Sequence, residues 1–326
     1  MSMRLILAPL ADYTDAPFRR LCGEFGADMA YTEMISAAAL THDHAKTQLM
    51  LETLPGEVPL GCQLFGATET DLACATREVE KVKDRFVELN LNAGCPMPRL
   101  VRADSGACLA ADPERTYRLL RAMKSETSLP VTLKTRPGPN PSHTTVFELL
   151  DAAEKAGAAA FILHARFTSQ MHAGNVHLDI LAETVRRAHI PVIGNGGVMD
   201  AKTASDMAAT GVAGVMVARS AFHRPWIFAE IRRDLGETAA HPLDLDAPGI
   251  YYRTARRHLE LAVQFRRELA DKYGSSLVPD EDAFVSLLAR TKLFRYFRAM
   301  PNVSALRQTI AASSNLAELA KTLGGD

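Results

Sequence analysis

Eight short apolar runs recur along the first 236 residues, at 4–8, 28–32, 60–65, 86–91, 131–135, 160–164, 191–194 and 214–217. Each is nearly continuous in apolar residues rather than alternating. That pattern predicts parallel strands covered on both faces. Helical periodicity fills the intervals. Val146, Phe147, Leu149, Leu150, Ala153 and Ala156 follow i, i+3, i+4, i+7 spacing, and Asp112-Pro113-Glu114 sets a capping carboxylate before a first-turn proline. Eight strand–helix units in about 235 residues predict an α/β fold, a (β/α)8 TIM barrel. No G-x-G-x-x-G follows the first strand, which argues against a doubly wound dinucleotide-binding sheet.

The pattern changes after Gly236. Residues 237–249 contain Pro and Ala without a strand signal and read as a linker between a barrel domain (1–236) and an all-helical domain (250–326). Helices are predicted at 251–270, 282–299 and 303–323. From 238 to 326 the chain carries 12 Lys+Arg against 10 Asp+Glu, but the bases cluster: Arg253, Arg256, Arg257; Arg266, Arg267; Arg290, Lys292, Arg295, Arg298. Tyr252, Tyr296 and Phe297 are interleaved. Such a face is either simply solvated or a surface for a phosphate backbone.

Composition narrows the partners. With 37 Lys+Arg against 38 Asp+Glu, the chain is no generic polycation, so any nucleic-acid surface is local. No apolar run is long enough for a membrane span, and the apolar run before Pro9 is only four residues, too short for a signal peptide. Five cysteines form no C-x-x-C pair, which argues against a disulfide framework or a zinc site and for a reducing cytoplasm. A monomer without metal is expected.

Polar residues gather where a barrel places its chemistry, at the C-terminal strand ends. Glu33, Gln63, Asn90, Asn92, Lys134, Arg136, His164 and Arg166 fall there, followed by Gly194-Asn195-Gly196-Gly197 and Arg219. Burying so many donors without partners would be costly, so a polar ligand is expected. The glycine turn and Arg219 suit a phosphate. Lys134, Gln63 and His164 would face a planar, electron-accepting ring, and the combination points to FMN. Cys95, between Gly94 and Pro96, sits on a turn at this rim. A thiol with an ordinary pKa near 8.5 stays protonated at neutral pH and can serve as a general acid.

These stretches resemble the tRNA-dihydrouridine synthase family, FMN-dependent barrel enzymes with a C-terminal helical RNA-binding domain. The resemblance rests on Leu7-Ala8-Pro9-Leu10, Asp15-Ala16-Pro17-Phe18-Arg19, Gln63-Leu64-Phe65-Gly66 and Asn90-Leu91-Asn92-Ala93-Gly94-Cys95-Pro96. It continues in Lys134-Thr135-Arg136, His164-Ala165-Arg166, Gly194-Asn195-Gly196 and Pro225-Trp226-Ile227-Phe228. It implies reduction of the 5,6 double bond of a tRNA uridine, with hydride from FMN, a proton from Cys95, and NADPH as the electron donor. By the same resemblance, Gln63, Lys134 and His164 contact the flavin ring, and Ala8 and Pro9 form the floor beneath it. Asn195, Gly196, Gly197, Ala218 and Arg219 hold its phosphate. Asn92 and Arg136 meet the target base, Arg166 lies near cofactor or RNA, and Arg290 and Arg295 contact tRNA.

The chain departs from the family pattern in places. Asn90 replaces the usual aspartate, and Pro98 the usual lysine, with Arg99 or Arg102 as candidate substitute cations. Ala165 and Ala218 replace usual glycines. A flavin barrel acting on a free pyrimidine is the alternative reading, and a non-catalytic RNA-binding barrel is a third. The basic helical tail argues against the former, and retention of Cys95 with Lys134 argues against the latter.

Overall fold

A computed structural model describes residues 3–42, 44–237, 244–245, 247, 249–300 and 303–324. Eight strands form where apolar runs predict them: β1 (Leu5–Leu7), β2 (Met29–Ser36), β3 (Leu60–Phe65), β4 (Glu88–Ala93), β5 (Val131–Thr135), β6 (Phe161–His164), β7 (Val192–Asn195) and β8 (Gly214–Val217). Each pairs in parallel with the next, and β8 returns to β1 through Leu7 opposite Val217. The fold is a closed (β/α)8 barrel.

The helices start and stop for local reasons. Asp112 caps Pro113–Lys124 by accepting the Arg115 N–H at 3.0 Å. Asp15 likewise caps Ala16–Glu24 through Phe18 N–H. The predicted periodic stretch is the helix Val146–Ala156.

Alternation along the strands divides the side chains into two layers. Outward residues such as Leu5, Leu7, Leu89, Leu91, Phe161 and Leu163 belong to the large core shared with the helices. Inward, Ile6, Met29, Tyr31, Ile162, Ile193 and Met216 form a second apolar cluster. The lumen at β3–β5 is different. Gln63, Asn90, Asn92 and Thr132 lie buried there, joined across the strands by hydrogen bonds. These three strands are therefore not continuously apolar, as the sequence pattern suggested. The buried polar positions are stable because they satisfy one another.

Two strand boundaries also move. β2 runs four residues beyond Thr32, with a register shift between Tyr31 and Met34. β4 extends to Ala93, since Asn92 pairs with Lys134 on β5. Asn92 is thus a strand residue and not part of the following loop.

In the C-terminal part, Gly249–Tyr273 is one long helix. The predicted helix 282–299 is instead Glu281–Leu288, a π turn at Ala289–Leu293 and short turns after it. The predicted helix 303–323 divides into Ser304–Ala312 and Leu316–Leu323, because Asn315 caps the second by accepting Glu318 N–H. Of the expected linker 237–249, residues 238–243, 246 and 248 lie outside the described residues. The helical part docks on the barrel through Lys292 Nζ to Asp15 Oδ2 at 2.6 Å, Arg257 to Glu24 at 2.8 Å, and Lys272 to Glu52 at 3.0 Å.

Candidate active site

The C-terminal ends of the strands enclose a cavity of about 1430 Å³. Ala8 and Pro9 line it beyond β1, Cys95 beyond β4, and Lys134 on β5. Gly196 and Gly197 line it beyond β7, and Ala218 and Arg219 beyond β8. No helix among the described residues is long and apolar enough to cross a membrane, and no described cluster of His, Cys, Asp and Glu could hold a metal.

Cys95 is held by a tight turn. Asn92 Oδ1 accepts the N–H groups of both Gly94 (3.1 Å) and Cys95 (3.0 Å). The Cys95 carbonyl accepts Ala107 N–H at 2.9 Å. Gly106 makes that contact possible: at φ +61° it occupies the left-handed region, and a Cβ there would lie 2.6 Å from Cys95 O. Burial pushes the Cys95 thiol above its ordinary pKa, outweighing the Met97 N–H and the charges of Lys134 and Arg136. The sulfur therefore keeps its proton at neutral pH, as a proton donor must.

Four cations face the cavity unpaired, while its two acids, Asp12 and Glu33, line it without bridging to them. Among the described residues, Lys134, Arg136, Arg166 and Arg219 form no salt bridge. Burial, with help from Arg136, lowers Lys134 to about 7, and its Nζ donates to Asn195 Oδ1 at 3.1 Å. Burial and the surrounding cations hold His164 well below its usual value, so its imidazole is neutral. His172, which stacks on it at 6.2 Å, is lowered to about 4 for the same reasons. A wall of cations left without acidic partners recruits an anion.

The glycine turn supplies the place for one. Gly196 (φ +111°) lies so close to His164 that a Cβ would approach Cδ2 to 2.8 Å. A Cβ on Gly197 (φ +74°) would meet Val176 at 2.6 Å. Arg166 points to both glycines, at 3.6 Å from each of those Cβ positions. Its Nη1 and His164 Nε2 are buried without a partner. Arg219, on the next strand end, donates to His172 O at 3.0 Å. The unpaired buried guanidinium nitrogen of Arg166 beside a bare backbone turn fits a phosphate.

Several expected contacts are committed elsewhere. Gln63 is fully buried and does not line the cavity; its Nε2 donates to Asn90 Oδ1 and its Oε1 accepts from Asn92. Asn195 lines the cavity beside the glycine turn, its side chain held between Lys134 Nζ and Met216 O. Asn92 lines the cavity, but its oxygen builds the Cys95 turn. Arg136, 1% exposed, clamps backbone: Nε donates to Gly94 O, and Nη1 to the carbonyls of Arg166 and Phe167. Arg166, expected near cofactor or RNA, belongs to the glycine turn.

The tail arginines are likewise mostly spoken for. Arg257 pairs with Glu24 and Glu260, and Arg266 and Arg267 with Glu281. Lys292 is buried against Asp15. Arg290 is exposed and lies outside the cavity. Arg295 donates to Thr291 O and sits 5.5 Å from the Tyr13 ring, which stacks on Phe222 at 3.7 Å. Arg298 reaches the cavity rim, 3.3 Å from His223 Nε2. His172 and His223 were not singled out from the sequence; single histidines in loops carry no pattern.

A model of the family described as "Dihydrouridine synthase (Dus)" matches residues 6–323. The chain belongs to the dihydrouridine synthase family. The match runs from β1 into the last helix, so barrel and helical part both lie within the dihydrouridine synthase boundaries. It is 34% identical over 271 residues to a Treponema pallidum protein named "Probable tRNA-dihydrouridine synthase", covering 80% of this chain and 78% of that one. It is 32% identical to "tRNA-dihydrouridine synthase B" of Yersinia pestis, covering 89% and 95%. To the protein of the same name in Escherichia coli K12 it is 30% identical, covering 90% and 97%.

Proposed function

We propose that this protein reduces the 5,6 double bond of a uridine in tRNA, with FMN as its cofactor and NADPH as the source of electrons. The observation that carries this reading is a protonated thiol and a phosphate-sized glycine turn sharing one cation-lined cavity. The names of the relatives supply the substrate class.

The residues present fit FMN. Gly196, Gly197, Arg166 and Arg219 would take the phosphate, satisfying the orphaned Arg166 Nη1. Lys134 and the unpaired His164 Nε2 would meet the polar edge of the ring, above Ala8 and Pro9. FMN, when bound, supplies the hydride. Lys134 is poised to take a proton at Nζ when negative charge comes near, since only burial and Arg136 hold it at about 7. Cys95 donates the second hydrogen as a proton from Sγ. Asn92 and the Ala107 N–H hold its backbone in place while it does so.

The test is direct. Purified protein, FMN and NADPH are added to unmodified tRNA, and nucleosides are analysed by mass spectrometry. A uridine gaining two hydrogens supports the reading. Turnover of free uracil or dihydroorotate with none on tRNA overturns it in favour of a free-pyrimidine reductase.

A further inference from the structure

A continuous line of side-chain hydrogen bonds runs down the barrel lumen from the Cys95 turn. The Gly94 and Cys95 N–H groups donate to Asn92 Oδ1. Asn92 Nδ2 donates to Gln63 Oε1 at 2.8 Å, and Gln63 Nε2 to Asn90 Oδ1 at 2.7 Å. Asn90 Nδ2 donates to Thr132 Oγ1 at 2.8 Å. Thr132 Oγ1 donates to Glu88 Oε1 at 2.8 Å, with a longer approach to Leu89 O at 3.3 Å. Tyr31 Oη donates to the same Glu88 oxygen. Gln63 and Asn90 are fully buried, so no water competes.

The two ends of this line fix its direction. At the top are backbone N–H groups, which can only donate. At the bottom Glu88 Oε1 accepts from two hydroxyls. Each amide between them has one self-consistent orientation. A flipped Asn92 would turn its NH2 towards the Gly94 and Cys95 N–H groups and lose both bonds. Asn92 is thus oriented from above and Asn90 from below, Gln63 bridges the two, and hydrogen bonds in such a series strengthen one another in a low-dielectric interior.

We propose that Asn90, at the centre of this line, is a positioning residue for Cys95, acting through Gln63 and Asn92. Without its oxygen, Gln63 Nε2 has no acceptor in a fully buried site, so Gln63 must shift to satisfy it and draws with it Asn92, whose Nδ2 donates to Gln63 Oε1. Asn90 touches neither cavity nor thiol, so its effect reaches the reaction only through the turn.

Asn90→Leu and Asn90→Asp separate this role from packing. Leucine fills similar volume but breaks the line. Aspartate keeps an oxygen for Gln63 Nε2 whether ionised or protonated, so the line above it survives, although a carboxyl in the core is the worse guest. Cys95 alkylation by iodoacetamide, followed by mass spectrometry of its peptide across pH, reads the turn in the purified holoprotein without any substrate. Asn90→Leu is expected to alkylate about fivefold faster at pH 8 than wild type, because the turn no longer holds the half-buried thiol in one position, and Asn90→Asp within about twofold of it. On tRNA, Asn90→Leu is expected to lower kcat about tenfold with KM unchanged, and Asn90→Asp to restore kcat. If Asn90→Leu does not fold, Asn90→Ala makes the same break.

The opposite ranking, Leu like wild type and Asp impaired, overturns the proposal and leaves Asn90 a packing residue. The kcat arm rests on the proposed uridine reduction; the alkylation arm does not. A wild-type protein inert on tRNA would therefore defeat that reading, and the alkylation series would still decide the role of Asn90.

Discussion

Gly106→Ala tests how tightly the Cys95 turn is built. At φ +61°, the added methyl group costs about 1 kcal/mol from backbone conformation alone. It would also sit 2.6 Å from Cys95 O, 3.3 Å from a Leu100 methyl and 3.4 Å from Cys95 Cβ. The first of these is backbone and cannot swing aside. Cys95 must retreat, and the Ala107 N–H bond to its carbonyl weakens. Strain and clash together amount to about 2–3 kcal/mol, or a fall of about 3–4 °C in Tm for a chain of this length. A shift of about 1 Å at the proton donor is worth about 100-fold in kcat. Gly157→Ala is the control. Gly157 is also left-handed (φ +80°), but nothing lies within 4 Å of its Cβ position. It should lose about 1 kcal/mol from the left-handed conformation and keep its activity. Thermal unfolding, flavin absorbance and single-turnover reduction of tRNA, on both variants, give the comparison. If Gly106→Ala turns over within about twofold of Gly157→Ala, the turn does not set the position of the thiol.

Other outcomes follow from the same geometry. Cys95→Ala should stay yellow and lose about 100- to 10,000-fold in kcat, since only the proton donor is gone; wild-type turnover would remove Cys95 from its role. Lys134, at about 7 before the cofactor enters, must take up a proton to meet the negative charge of a reduced flavin ring. Affinity for reduced FMN should therefore fall as pH rises above about 7, and titrations of Lys134→Met should show no such slope from this group. Burial raises Asp15, but Lys292, His258 and the Phe18 N–H outweigh it and hold the carboxyl below its usual value. Its ion pair thus adds stability above the unfolded pKa of about 3.9, and this is lost as pH falls through the lower folded value. Lys292→Met should cost about 3 kcal/mol at pH 7, and denaturant curves should show its deficit shrinking below about pH 4.

Much of the architecture was legible in the residues. Apolar runs separated by amphipathic stretches mark eight strand–helix units, and β3, β5 and β8 have the predicted bounds. Asp112-Pro113 marks a helix start because capping is local. Breaks inside the C-terminal helices were harder to read. A capping asparagine within a long periodic stretch changes little in the pattern, and a π turn keeps the same apolar face.

Which groups belong together chemically was visible in order along the chain, from the Asn92–Cys95 turn to the glycines after β7. Their partners were not. Lys134 meets Asn195 across 61 positions of sequence because alternate strands of a barrel contribute to the same layer of the lumen. Strand periodicity says that a side chain points inward; only barrel closure says what it meets there. That is why Gln63 and Asn195 turned to other residues, and why Arg166 joined the glycine turn. The tail arginines obey the same limit, since charge along a helix does not reveal that a glutamate on another element neutralises it. Local chemistry determined the strands, the caps and the Cys95 turn, whereas long-range pairing decided which polar groups were left unpaired and able to hold a ligand.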